Sequence, residues 1–205
     1  MLRIWAVSAV MLCVVGLAWG EPATTKPVDL SNPRAALKSF VEALKSGDVE
    51  GAKKACHAPA ESDRKVMEAG VGFEAALEKL IAQVEAKFGE GSAATLREKL
   101  AKAGPTDVVP LMEKAVEAAP ENSSEDSVVV PWSGAEDLRM VRVDGDWKID
   151  VEAQMKNLEE SKRGQMLKQM PAAAKKLAKV SEAVESGKVT SVDDVIGLIE
   201  GKNQP

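Results

Sequence analysis

VRVDGDWKID, residues 141–150, places two alternating runs around Asp144-Gly145, and its reading decides the fold. An Asp-Gly pair between such runs is the strongest short-range signal for a two-residue hairpin. Counting outward pairs Arg142 with Trp147, Met140 with Ile149 and Leu138 with Val151 on one face. The opposite face pairs Val141 with Lys148 and Arg139 with Asp150. One face is therefore apolar, with Arg142 placed to lie over Trp147. The other is mostly charged, with Arg139 and Asp150 placed as an ion pair. A three-residue bulged turn would shift the register and spoil this segregation. Upstream, SVVVPW (127–132) is β-branched and ends on Pro131, the mark of a strand end or an edge.

Outside this small antiparallel sheet the pattern is helical. Asn32 caps a helix with Pro33 at its first position, and Leu37, Phe40, Val41 and Leu44 form its apolar face. Ser46-Gly47 ends it, and Asp48 opens a second helix over VEGAKKACHA (49–58), stopped before Pro59. Val66, Gly70, Phe73, Leu77, Leu80 and Val84 then step by fours and threes, a seam suited to a facing helix. Gly89 and Gly91 close it. Ser92 is placed to cap a shorter helix carrying Leu96 and Leu100, which Gly104-Pro105 ends. Residues 107–119 fit either a helix or a strand. After the hairpin, Met155, Leu158, Met166 and Leu167 begin a helical tail that Pro171 is expected to kink or restart. Leu177, Val180 and Val184 carry the stripe to Ser186-Gly187. Ser191 and Asp194 resemble a capping box before Val192, Val195, Ile196 and Ile199. Helices, a small sheet, then helices make an α+β chain.

The first twenty residues read as an export signal. Arg3 supplies the positive start, Ile4 to Val15 the apolar run, and Ala18-Trp19-Gly20 the cleavage site. The run is shorter than the roughly 20 apolar residues of a membrane span, so no stable span is expected after cleavage. Cys13 lies within the run, and Val10-Met11-Leu12 lacks the small residue that lipidation wants. An exported protein, periplasmic or secreted, is expected. Residues 21–32 read as a flexible leader. Cleavage would remove Arg3 and move the formal charge from −5 to −6. Mild acidity with interspersed signs argues against a nucleic-acid partner, and the Lys pairs at 53–54 and 175–176 form no basic stripe.

"NPRAALKSFVEALKSGDVEGAKKA" followed by "LRMVRVDGDWKID" resembles the nuclear-transport-factor-2-like superfamily, also called SnoaL-like or cystatin-type. The resemblance rests on Phe40, Ala43, Leu44, Gly47 and Asp48 in the leading helix, and on Asp144, Gly145, Trp147 and Ile149 in the late hairpin. It implies N-terminal helices packed into a small curved antiparallel sheet over residues 33–152, forming a cone. Residues 153–201 would be a helical C-terminal extension. It also implies a cone lining that includes Phe40, Leu44, Met140, Trp147 and Ile149. Enzymes of this superfamily place Asp or His bases and Tyr donors in the cone. This chain has no Tyr and one His, and none of those catalytic positions carries over.

Other chemistries are sparsely supplied. Cys56-His57 is the one pair of soft ligands after residue 20, too few for a zinc site, and neighbours on a helix diverge by about 100°. No intrachain disulfide is expected, and no metal or other cofactor. Glu113, Glu117, Asp137, Asp144, Asp146 and Asp150 read as solvated acids. Neither Gly70-Val71-Gly72-Phe73 nor Gly89-Glu90-Gly91 matches a phosphate loop, and no G-x-S-x-G motif appears. Asn122-Ser123-Ser124 is a formal glycosylation sequon. The expectation is an exported non-catalytic domain that binds a small apolar ligand or a protein partner. The alternatives are a lyase or isomerase using a cone carboxylate, and an envelope protein that assembles, as a homo-oligomer for instance, through its tail helices.

Overall fold

The computed structural model describes residues 27–103, 108–132, 137–156 and 158–202. The expected signal over residues 1–20 and the first part of the leader lie outside the described residues. The chain is α+β, with eight helices and a four-stranded sheet among the described residues. Helix α1 (Pro33–Ser46) starts where Asn32 accepts a hydrogen bond from the Ala35 N–H at 2.9 Å. It stops at Gly47, whose φ of 74° is a left-handed cap that favours glycine. Asp48 caps α2 (Val49–Lys54) by accepting from the Gly51 N–H.

Helix α2 ends earlier than the sequence suggested. Cys56–His57 forms a two-residue strand, β1, parallel to the last strand of the sheet. The reason is non-local. The outer edge of that last strand carries backbone N–H groups that need acceptors. The Ile149 N–H donates to the Ala55 carbonyl and the Trp147 N–H to the Leu30 carbonyl, both at 2.8 Å. The sheet is therefore mixed, where an antiparallel one was expected. Leu30 and Asp29, which bonds Ser39, also tie the end of the expected leader to the domain.

The hairpin forms in the register read from the sequence. β2 (Ser127–Val130), β3 (Leu138–Val143) and β4 (Asp146–Asp150) are antiparallel neighbours, giving the order β1-β4-β3-β2. Arg142 faces Trp147, Val141 faces Lys148 and Met140 faces Ile149. Asp144 and Gly145 both have positive φ, 53° and 91°, as a tight two-residue turn requires. The Arg142 guanidinium lies 4.8 Å from the Trp147 ring centre, and Arg139 pairs with Asp150 at 3.7 Å. The pairing of Leu138 with Val151 does not form. Asp150 instead accepts a hydrogen bond from the Ala153 N–H and starts α6 (Val151–Met155). A side-chain cap there outcompetes one more rung of ladder.

Between β1 and β2 lie α3 (Glu61–Phe88), α4 (Ser92–Ala103) and α5 (Val109–Ala118), so the ambiguous segment is helical over residues 109–118. Ser92 is the first residue of α4 and does not cap it by accepting. Its hydroxyl donates to the carbonyls of Gly89 and Val84, tying α4 back to α3. Helix α7 (Glu160–Glu185) runs unbroken through Pro171, and Pro171 is exposed, where water can answer the carbonyl it leaves unbonded. Ser191 caps α8 (Val192–Glu200) through the Asp194 N–H. The Asp194 carboxylate reaches back to Thr190, one residue further than a capping box requires.

The long α3 serves two cores. Its first half packs with α1, α5 and the sheet around Leu37, Leu44, Met140 and Trp147. Its second half packs Leu77, Leu80 and Val84 against α4, α7 and α8, where Leu96, Leu177, Val184 and Val195 are buried. The Leu177, Val180 and Val184 part of the tail stripe is thus packed inside the chain. Among the described residues, the exposed large hydrophobic side chains are Val129 and Leu167.

Candidate functional site

A cavity of about 360 Å³ lies where α3, the sheet and the start of the tail meet. That is at the small end of the ~300–1,000 Å³ typical of ligand pockets. Helix α1 contributes Phe40 and Leu44, β1 contributes Cys56, and α3 contributes Met67, Gly70, Val71 and Glu74. Met112, Trp132, Leu138 and Ile149 form further wall. Met155 at the end of α6 and Leu158 from the connection after it, with Met166 and Met170 from α7, form the opposite side. Five of the six methionines after residue 20 meet here. Their unbranched, polarisable side chains adapt to irregular apolar shapes.

Two polar atoms in this wall are buried without a hydrogen-bond partner among the described residues. One is Oε2 of Glu74, on a residue that is 8 % exposed; the other is Nε1 of Trp132. Burial is the chief reason that the Glu74 carboxyl is pushed up from 4.5 to about 7, and the Glu78 carboxylate adds to it. The Val108 N–H and the Arg97 guanidinium act in the other direction. Arg97 also holds Glu78, gripping both of its carboxylate oxygens at 2.8 and 2.9 Å. Among the described residues, Glu74 thus shares the Arg97 cation with Glu78.

The Cys56 thiol is pushed up to about 12 by burial, which keeps it protonated and unreactive at neutral pH. His57 follows it on a strand and not, as expected, at a helix end. Successive strand side chains point to opposite faces, which separates the two more widely than a helix would. Among the described residues, no group of three or more His, Cys, Asp or Glu is placed to hold a metal ion. Among them too, no helix is long and apolar enough to cross a membrane.

Arg163 holds the tail side of the cavity in place. Its guanidinium donates to Asp63 Oδ1 at 2.7 Å, to the Leu158 carbonyl at 3.2 Å and to the Met155 carbonyl. Asp63, near the start of α3, is 5 % exposed. One buried ion pair thus clamps the end of α6 and the following Leu158 onto α3.

Of the lining residues expected from sequence, Phe40, Leu44 and Ile149 border this cavity. Met140 and Trp147 do not. They are 0 % and 1 % exposed and fill the core between α1 and the sheet. Sequence reading passed over Glu74 and the Arg163–Asp63 pair. Glu74 was open to detection: it lies one turn after Gly70 and three residues before Leu77, an acid on the apolar side of α3. A second concavity, near Pro27, Asp48 and Lys148, is more polar. There Asp48 is already used as a helix cap and Glu50 pairs with Lys53.

No family model matches this chain, and comparison with curated proteins and with solved structures gives no match either.

Proposed function

We propose that the protein is an exported, non-catalytic domain that takes a small, mainly apolar ligand into the methionine-lined cavity. The observation that carries this reading is the cavity itself, an apolar space with two unanswered buried polar atoms in its wall. Buried polar groups are nearly always satisfied, and an unpartnered one in a cavity wall calls for a missing partner. The motif resemblance to the nuclear-transport-factor-2-like superfamily, whose cones accommodate small molecules, supports the same reading. Export rests on the signal-like residues 1–20. Assembly through the tail has less support, because the apolar stripe it would need is packed against α3 and α4.

Native mass spectrometry of protein purified from its own cell envelope tests the reading. A bound small molecule is expected in the wild type and should be lost in Gly70→Leu, which fills the cavity from α3. An adduct that survives this substitution places the ligand elsewhere.

A second reading, an isomerase or lyase, draws on one specific pair. Glu74, with its carboxyl near neutrality, has the character of a general base, and the Trp132 indole N–H is a donor for a developing oxyanion. Apolar enolisable ketones incubated in D2O separate the two readings. Deuterium uptake that depends on Glu74 supports the enzyme; uptake at the solution rate supports the binding domain.

A further inference from the structure

We propose that the cavity selects a cationic amphiphile, an apolar chain or ring whose primary ammonium head pairs with the Oε2 atom of Glu74. This rests on the cavity being a ligand site and names the chemistry of the ligand. Charge complementarity carries it. Among the described residues, the lining contains no Lys, Arg or His, and its ionisable side chains are Glu74 and Cys56. The Cys56 thiol stays neutral. A carboxylate or phosphate head would therefore enter a wall with no positive side chain and one acid. Such a head would be desolvated without repayment.

An ammonium head reverses each of these terms. It brings a positive charge that Glu74 need not share with Glu78, and donors for its unpartnered oxygen, making a charge-assisted hydrogen bond in a water-poor site. The charges facing Glu74 from neighbouring elements are already matched to one another: Glu78 on α3 is held by Arg97 on α4. From the segment before α5 comes the Val108 N–H, from β1 the Cys56 thiol, and from α7 only methionines. The methionine sulfurs accept an alkyl chain of varied shape without imposing one. The Trp132 Nε1–H remains free to meet an ether or hydroxyl oxygen beside the head.

The test compares decylamine, decanol and decanoate, which share one apolar chain and differ in head charge, by calorimetric titration of the full-length protein. At pH 8 decylamine is expected to bind at least about tenfold tighter than decanol, and decanoate weakest. Because the Glu74 carboxyl titrates near 7, decylamine affinity should fall about tenfold from pH 8 to pH 6, while decanol affinity stays level. Glu74→Gln should bring decylamine down to the level of decanol. Decanoate binding as tightly as decylamine, or Glu74→Gln leaving the preference for the amine intact, overturns the inference and leaves the cavity standing as an apolar site. If none of the three binds, both the inference and the ligand-binding function fall.

Discussion

Replacing Glu74 with Gln should make the protein more stable at pH 8 and slightly less stable at pH 4. The Glu74 carboxyl is raised from 4.5 to about 7 in the fold, chiefly because ionising it there costs solvation that the cavity does not return. A raised acid binds its proton more tightly when folded than when unfolded. Its favourable contribution is therefore complete below 4.5 and is lost as pH rises through 7. At 1.36 kcal/mol per unit, the rise corresponds to about 3 kcal/mol across that window. The Gln variant has no charge to bury and should not lose it. Its side-chain carbonyl can still accept from the Val108 N–H, while its amide leaves one donor pair unanswered, a cost of about 1 kcal/mol. The net gain at pH 8 is then about 2 kcal/mol. Urea unfolding of both proteins from pH 4 to pH 8 reads this directly, because shared titrations cancel in the difference between the curves. Parallel curves across that range would refute the assignment of a desolvated, uncompensated carboxyl to this cavity.

Three further substitutions or treatments test the surrounding structure. Arg163→Met should destabilise by about 3–5 kcal/mol, because it leaves the buried Asp63 charge and the Leu158 and Met155 carbonyls without their donor. Adding Asp63→Asn should recover part of that loss, and full tolerance of the single variant in urea unfolding would sink the clamp. Gly72→Ala should gain about 0.5–1 kcal/mol in the same assay: the residue lies inside α3, and an added Cβ meets nothing within 4 Å. In a Cys13→Ser background, Cys56 should resist a thiol-reactive chromogen at pH 8 until denaturant is added, since burial holds the thiol at about 12. Rapid labelling of the native protein would show that β1 opens freely.

The elements legible from sequence were those whose determinants lie within a few residues of one another. Asn32-Pro33, Gly47 and Asp48 set the ends of α1 and the start of α2 through hydrogen bonds spanning three or four residues. Asp144-Gly145 admits the positive φ values of a two-residue turn, and the alternation on either side then leaves one register that buries Met140, Trp147 and Ile149 together. The seam on α3 was equally local in its cause, since 3.6-residue periodicity is written along one helix.

What tertiary structure decided involved atoms brought together from distant parts of the chain. Cys56–His57 became a strand because β4 offered unanswered N–H groups there, and no feature of VEGAKKACHA announces that edge. The same holds for the cavity. Met67, Met112, Met155 and Met170 look alike in sequence to the core residue Met140, and they differ only in which space the packing leaves beside them. Glu74 is one acid among many until Val108, Trp132 and the α7 methionines remove its water. Desolvation is a property of the whole assembled surround, so the sequence by itself could supply the carboxyl and its helix but not its isolation.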